Sequence, residues 1–393
     1  MGYTYPDFPT LSSHKTWAEI NLAALRQNYR TLRALTCAGA ERRAIAVVKA
    51  DAYGHGAARC VAALMDEGCD FFAVSCIEEA MAVRAVCPPE RADLLLLGYT
   101  LPDEAALLAG HDIIQTVFSQ TYAEQLSAAA AAADVRVRVH VKLDTGMNRI
   151  GFLTAPDALD DTVDAIAAIA ADPHLELCGL FTHFARADEA DPAPIDAQFA
   201  RYRAVTDRLA ALGIDPGMRH VCNSAAACRY PEGRLDAVRL GIVLYGAPPE
   251  RDFDAICPLP LTPVMRLCTA IAHLHTLAPG ETVSYGGHFT ADTPRTIATL
   301  PVGYADGFIR AFGGASVLIS TADGPREAPI VGNICMDQCM VDVTGLSAEV
   351  GDTVTLFGDH PERLRALAER AGTIEYEPLC LITGRVPRVF VGE

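Results

Sequence analysis

The sequence predicts an α/β fold: an eight-stranded TIM-like (β/α) barrel followed by a mostly β C-terminal domain. Three observations carry this expectation. Eight short apolar runs alternate with helical patterns between residues 44 and 243, which points to parallel pairing and, in its simplest closed form, a barrel. No G-x-G-x-x-G follows the first run, which weakens the rival, an open doubly wound sheet. From residue 246 the segment GAPPERDFDAICPLPLTP breaks regular structure, and the runs beyond it alternate and favour β-branched residues, as antiparallel strands do.

The elements follow in order. The opening MGYTYPDFPTLSSHK has no apolar core region and no cleavage pattern, so residues 1–15 read as an extension rather than a signal peptide. The barrel is expected over 16–250 and the β-rich domain over 251–393. Asn21 is a helix cap, and Leu22, Leu25, Tyr29, Leu32 and Leu35 form the apolar stripe behind it. The eight strand runs are 44–50, 71–75, 93–98, 113–118, 135–143, 175–182, 218–222 and 236–243. Segments 121–133, 156–171 and 195–212 carry alanine and leucine at helical spacing. In the second domain the runs are 264–276, 296–300, 316–319, 329–331, 338–343 and 353–357, with one helix at 361–371.

Composition narrows the function classes. The chain has 393 residues, 51% of them apolar and 21% charged, with a net charge of −17. That balance is globular and repels nucleic acid and anionic membranes. The thirteen cysteines show no paired metal spacing and read as buried thiols in a reducing compartment. No run approaches the eighteen or so apolar residues of a membrane span. A cytoplasmic protein with no metal, no nucleic-acid partner and no membrane partner is expected.

Polar residues gather where the strands end. In AVVKADAYGHG (46–56) an apolar run delivers Lys49 to a turn rich in polar groups. A strand-end amine in a pocket is placed to form a Schiff base, although a solvated lysine fits the same residues. Lys142, Asp144 and Arg149 surround the end of the fifth run. His183 follows the sixth, Asn223 and Ser224 the seventh, and Arg239, Gly241 and Ile242 close the eighth. Chemistry in such barrels sits at this end, with phosphate often after strands seven and eight. Ser224 there also reads as an ordinary helix cap. A phosphate site opposite a lysine amine suggests pyridoxal phosphate.

These residues resemble the alanine racemase family. AVVKADAYGHG resembles the family's cofactor-lysine motif. VKLDTGMNRIGF, GLFTHFA, CNSAA, VRLGIVLYG, VSYGG, LPVGYADG, GNICMDQCM and IEYE match further blocks in the right order. The match runs from TWAEINLAAL to RVPRVF. It implies a barrel plus β domain, pyridoxal phosphate as cofactor, and a homodimer whose two sites are each completed by the partner's second domain. It further implies interconversion of L- and D-alanine by two bases on opposite faces of the substrate carbon, supplying D-alanine for the cell wall.

Residue by residue, the resemblance makes Lys49 the cofactor-bearing base and Tyr285, from the other subunit, the opposite one. A tyrosine, with an ordinary pKa of about 10, needs help to act as a base. Read alone, Tyr285 is a strand tyrosine at a domain surface. Arg239 would face the pyridine nitrogen, with His183 supporting it or the ring; alone, His183 is a core histidine. Arg149 would bond the cofactor's phenolic oxygen near the substrate carboxylate. Lys142 would be carbamylated, or, unmodified, paired with Asp144. Tyr53, Ser224, Gly241, Ile242 and Tyr376 match phosphate-binding positions, with Asn223 among the cofactor contacts. Met336 would bind the substrate carboxylate through its N–H, with Asp337 beside it and Tyr304 at the substrate entrance. At Asn333 other members carry a basic residue.

The alternatives are a serine or broad-specificity racemase, a barrel decarboxylase for basic amino acids, and a non-catalytic pyridoxal phosphate carrier. Tyr376 favours alanine over serine, Arg239 disfavours the decarboxylase, and the second domain disfavours the carrier.

Overall fold

The computed structural model describes residues 15–39, 41–250 and 253–393, so the expected extension lies, apart from Lys15, outside the described residues. The described chain opens with strand β1 (Thr16–Asn21) and a helix over Leu22–Cys37. Asn21 is its cap: Oδ1 accepts the N–H of Ala24 at 3.0 Å.

The barrel strands are β2 (Arg43–Val47), β3 (Phe71–Val74), β4 (Asp93–Leu96), β5 (Ile113–Val117) and β6 (Val137–Asp144). The short β7 (Phe152–Leu153) lies beside the end of β6, and β8 (Leu175–Phe181), β9 (Met218–His220) and β10 (Ala237–Leu240) complete the set. All pairings are parallel, in the spatial order β10-β2-β3-β4-β5-β6-β8-β9. The seam between β9 and β10 carries two backbone hydrogen bonds. Asp236 N–H reaches Arg219 O and Arg239 N–H reaches Cys222 O, each at 3.1 Å. Each expected run overlaps its strand, with β2 beginning one residue before its run and β6 ending one residue after, and helices over Gln120–Ala132, Leu159–Ala171 and Ala193–Ala211 lie between strands. β3 is buried at every position and reads as the continuous apolar stretch FFAV, whereas the equally buried β5 carries Gln115 and Thr116, whose side chains donate to backbone carbonyls. At the opposite end of the barrel from the strand exits, Asp93 accepts from Arg43 at 2.5 Å and from Arg138 at 2.9 Å.

The second domain is built from β11 (Met265–Ala270), β12 (His273–Leu277), the hairpin β13 (Thr282–Val283) and β14 (Phe289–Thr290), β15 (Arg295–Leu300), β16 (Ser316–Thr321), β17 (Gly324–Val331), β18 (Cys339–Asp342), β19 (Thr353–Phe357) and β20 (Arg388–Val391). Nine strands form one sheet in the order β12-β15-β18-β17-β16-β19-β11-β1-β20.

Three expectations are corrected here. β1 belongs to this second sheet, antiparallel to β11 and parallel to β20. Its alternating burial suits a sheet with one covered face, so the segment 16–21 is not part of the barrel. The single run 264–276 is two strands, because β11 pairs with β19 whereas β12 pairs with β15 elsewhere in the sheet. A second helix, Tyr376–Leu381, accompanies Pro361–Arg370. Among the described residues no helix is long and apolar enough to cross a membrane.

Candidate active site

β2 ends at Val47, two residues short of Lys49, and the chain then enters a left-handed turn. Ala50, Asp51, Ala52 and Tyr53 have φ between 51 and 55°. That conformation costs about 1–2 kcal/mol per non-glycine residue, so other contacts hold it. The Glu79 carboxylate accepts the N–H of Ala50 at 2.7 Å and of Ser75 at 2.8 Å. Asp51 accepts the N–H of Ala57 at 2.7 Å. His55 Nδ1 lies 2.9 Å from the carbonyls of both Ala52 and Tyr53, so that nitrogen carries the proton. Burial lowers the His55 pKa to about 4 and keeps the ring neutral.

The turn presents Lys49 and Tyr53 to a cavity of about 430 Å³ at the strand exits. Lys142, Arg149, His183, Asn223, Ser224, Arg239, Gly241, Ile242 and Tyr376 line the same space. Every residue expected to hold the cofactor therefore lines one cavity, Tyr376 coming from the second domain and the rest from the barrel. At one side Ser224 Oγ accepts the Gly241 N–H at 2.9 Å. A Cβ on Gly241 would lie 2.8 Å from Tyr53 Oη and 3.4 Å from Ser224 Oγ, so only glycine leaves this cradle open. The Tyr376 ring is 5.9 Å from that of Tyr53. The helix cap is Asn223, whose Oδ1 accepts the N–H of Ala226 at 3.1 Å, so Ser224 is not the cap and its hydroxyl faces Gly241.

Arg239 is buried and held on all sides. Nη1 donates to His220 Nδ1 at 2.8 Å, and Nη2 to Thr182 O at 2.7 Å and Val221 O at 3.1 Å. His183 Nδ1 lies 3.4 Å from Nη2. Burial brings Arg239 down to about 10, so it remains a cation at neutral pH. Because His220 accepts at Nδ1, its proton is on Nε2, which donates to His140 Nδ1 at 3.0 Å. Burial and Arg239 hold His183 and His220 well below the usual histidine range. Phe181 stacks on His220 at 4.7 Å and lies beneath both Lys142 and Arg239.

Lys142 is buried, and burial, with Arg149 and Arg239 behind it, lowers its pKa to about 8. Asp144 does not pair with it. The carboxylate accepts the N–H groups of Gly146, Asn148 and Arg149 at 2.9, 3.0 and 2.9 Å, which shapes the loop that carries Arg149. Burial, then Arg149, also lowers the Lys49 pKa.

Four expected site residues lie elsewhere. Tyr285, Met336 and Tyr304 are 73%, 53% and 40% exposed, and Asp337 bonds Arg385 at 2.8 Å. They form one edge of the second domain. Ala305 N–H donates to Met336 O at 3.0 Å, and Tyr304 N–H to Cys335 O at 3.1 Å. None of the four lines the cavity of its own chain.

The chain matches the family model for the alanine racemase N-terminal domain over residues 20–249 and that for the C-terminal domain over 264–390. It is 43% identical to an alanine racemase of Desulfovibrio desulfuricans, across 95% of this chain and 98% of the relative. The chain belongs to the alanine racemase family. Among solved structures, an alanine racemase from Streptomyces coelicolor A3(2) superposes with a TM-score of 0.89 at 35% identity, covering 97% of this chain and 99% of that one. One from Clostridium difficile 630 gives 0.88 at 38% identity, covering 96% of each.

Alanine racemases depend on pyridoxal phosphate, and the cavity fits it. A cradle open only to glycine suits the phosphate, Lys49 supplies an amine for the aldehyde, and the Arg239 guanidinium offers a fixed donor. Three supporting residues escaped the sequence reading: Glu79, His140 and His220. The last two are single histidines in or at the end of apolar strands, VRVHVKLD and MRHVC, and that polar intrusion was the available signal.

Proposed function

We propose that this chain interconverts L- and D-alanine, with Lys49 and Tyr285 as proton-transfer groups on opposite faces of the substrate carbon. The observation that carries the proposal is Arg239. A buried guanidinium lies in the cofactor cavity with histidine and carbonyl acceptors around it. A cation there would not hand a full proton to the pyridine nitrogen of bound pyridoxal phosphate, which would restrain side reactions and suits a racemase better than a decarboxylase.

Bound pyridoxal phosphate supplies an electron sink for the charge left when the α-proton departs. Lys49 Nζ takes or returns that proton on one face, and its lowered pKa raises the share of free amine able to accept it. Tyr285 Oη does the same on the other face. Arg149 orients the substrate carboxylate, and the Met336 N–H bonds it from the second domain. Tyr53, Ser224, Tyr376 and the Ile242 backbone would hold the phosphate. Asp337 and Tyr304 flank the entrance.

We assign the second base to a partner subunit, since Tyr285 is 73% exposed and absent from its own cavity. A homodimer in which each second domain covers the other chain's barrel brings the two halves together. We also propose that Lys142 carries a carbamate. Its amine, lowered to about 8, would attack the carbon of carbon dioxide and release one N–H proton to solvent, and the resulting carbamate anion would face Arg149 and Arg239. All thirteen cysteines are free, which supports a reducing, cytoplasmic setting.

The test is a chiral assay on purified, cofactor-loaded protein with L-alanine and L-serine. Faster turnover of alanine is expected, and a preference for serine would overturn the substrate assignment.

A further inference from the structure

We infer that Asn333 is a positioning residue for Tyr285. The inference rests on the reading of Tyr285 as a proton-transfer group. The tyrosine stands on a turn that the chain would not adopt unaided. Ser284, just before it, has φ 66° and ψ −178°, and Gly286, just after it, has φ 79°. The Ser284 conformation belongs essentially to glycine and costs a serine about 1–3 kcal/mol. The hairpin that carries the turn has only two residues in each strand and pairs with no other strand.

A second loop supplies the restraint. Ser284 Oγ donates to Asn333 O at 2.7 Å, and Asn333 Nδ2 donates to Tyr285 O at 2.7 Å. Two reciprocal hydrogen bonds thus bracket the strained peptide. The amide orientation is fixed, because Tyr285 O can only accept. The loops meet closely at Gly332, where a Cβ would lie 2.7 Å from Val283 O and 3.0 Å from Ser284 Cβ. Three residues past Asn333 stands Met336, so one loop sets both Tyr285 and the proposed carboxylate donor.

A racemase removes the α-hydrogen of one enantiomer with one base and that of the other with the second. Isotope effects on α-deuterated L- and D-alanine therefore read Tyr285 and Lys49 separately. The rate ratio cannot do so, since an equilibrium constant of one ties kcat/KM in the two directions together. The experiment compares Asn333→Ala, Asn333→Asp and Asn333→His in the loaded full-length enzyme. Aspartate keeps the shape without the N–H, and histidine restores an N–H at similar reach. Alanine and aspartate should lower kcat roughly 10- to 100-fold, the scale of an ångström's misplacement. The isotope effect should rise for one enantiomer only, and histidine should regain part of the rate. Amide hydrogen exchange across 283–290 should quicken in the alanine and aspartate variants even without cofactor.

Wild-type turnover in Asn333→Asp, equal changes in both isotope effects, or unchanged exchange would each overturn the inference. Tyr285→Phe separates the two failures. If it keeps wild-type turnover, the reading of Tyr285 fails; if it is inactive while Asn333→Asp is not, only the role of Asn333 fails.

Discussion

Arg239 and His220 are joined by a 2.8 Å hydrogen bond that sets the tautomers of His220 and His140. The guanidinium can only donate, so His220 accepts at Nδ1 and passes its own N–H to His140. The cation is held by neutral acceptors, with no carboxylate among its hydrogen-bond partners in the described residues. Its charge is thus left to face the cavity.

Removing the acceptor should be costly. In His220→Leu a buried guanidinium N–H loses its partner, a penalty of about 1–3 kcal/mol. Urea unfolding should show a loss of that size, and an unchanged midpoint would mean that the contact contributes nothing.

Lys142 should make stability depend on pH. Its folded pKa, about 8, lies below the ordinary value of 10.5, so the unfolded chain binds the extra proton between those values. The penalty of burying the charged amine is fully present below about pH 8 and is relieved as pH rises toward 10.5. Lys142→Met should therefore stabilise the unmodified protein at pH 7 by up to about 3 kcal/mol, with the gain shrinking through that window. Thermal melts across the window, in buffer free of carbon dioxide, check this. Adding bicarbonate at pH 8 should raise the intact mass of the wild type by one carbon dioxide and leave the Met variant unchanged.

Gly241→Ala separates cofactor binding from folding. The new methyl would displace the Tyr53 phenol, which is a movable side-chain end. Cofactor affinity should fall at least tenfold, roughly 1.4 kcal/mol, with a smaller change in unfolding free energy. Equilibrium dialysis alongside denaturation distinguishes the two, and equal losses would contradict the assignment of the cradle.

Much of this was legible in the sequence because the barrel repeats one signal. Most buried parallel strands read as apolar runs, and several of those runs end where a polar residue enters the cavity, as Lys49, Lys142, His183 and Arg239 do. Local geometry was not legible where residue type and conformation disagree. Ala50, Asp51 and Ala52 carry no mark of a left-handed turn, because distant Glu79 and the nearby His55 impose it. The hairpin around Tyr285 is too short to show alternation. Strand β1 was misplaced because adjacency in sequence suggested the barrel, whereas its hydrogen bonds lie with residues roughly 250 and 370 positions away. The proposed part of Tyr285 and Met336 in the site came from resemblance alone, since a residue that would act in another subunit leaves no trace in its own chain's pattern.

The central claim is that each site needs Lys49 from one chain and Tyr285 from another, and mixing two inactive variants tests it. Lys49→Ala and Tyr285→Phe are unfolded, refolded together with cofactor, and assayed for racemisation of L-alanine. Random pairing makes about half of the dimers mixed, and each of these holds one intact site of two. Activity should return to about a quarter of the wild-type value while either variant refolded alone stays inactive. A mixture that contains mixed dimers yet gains no activity would contradict the shared site.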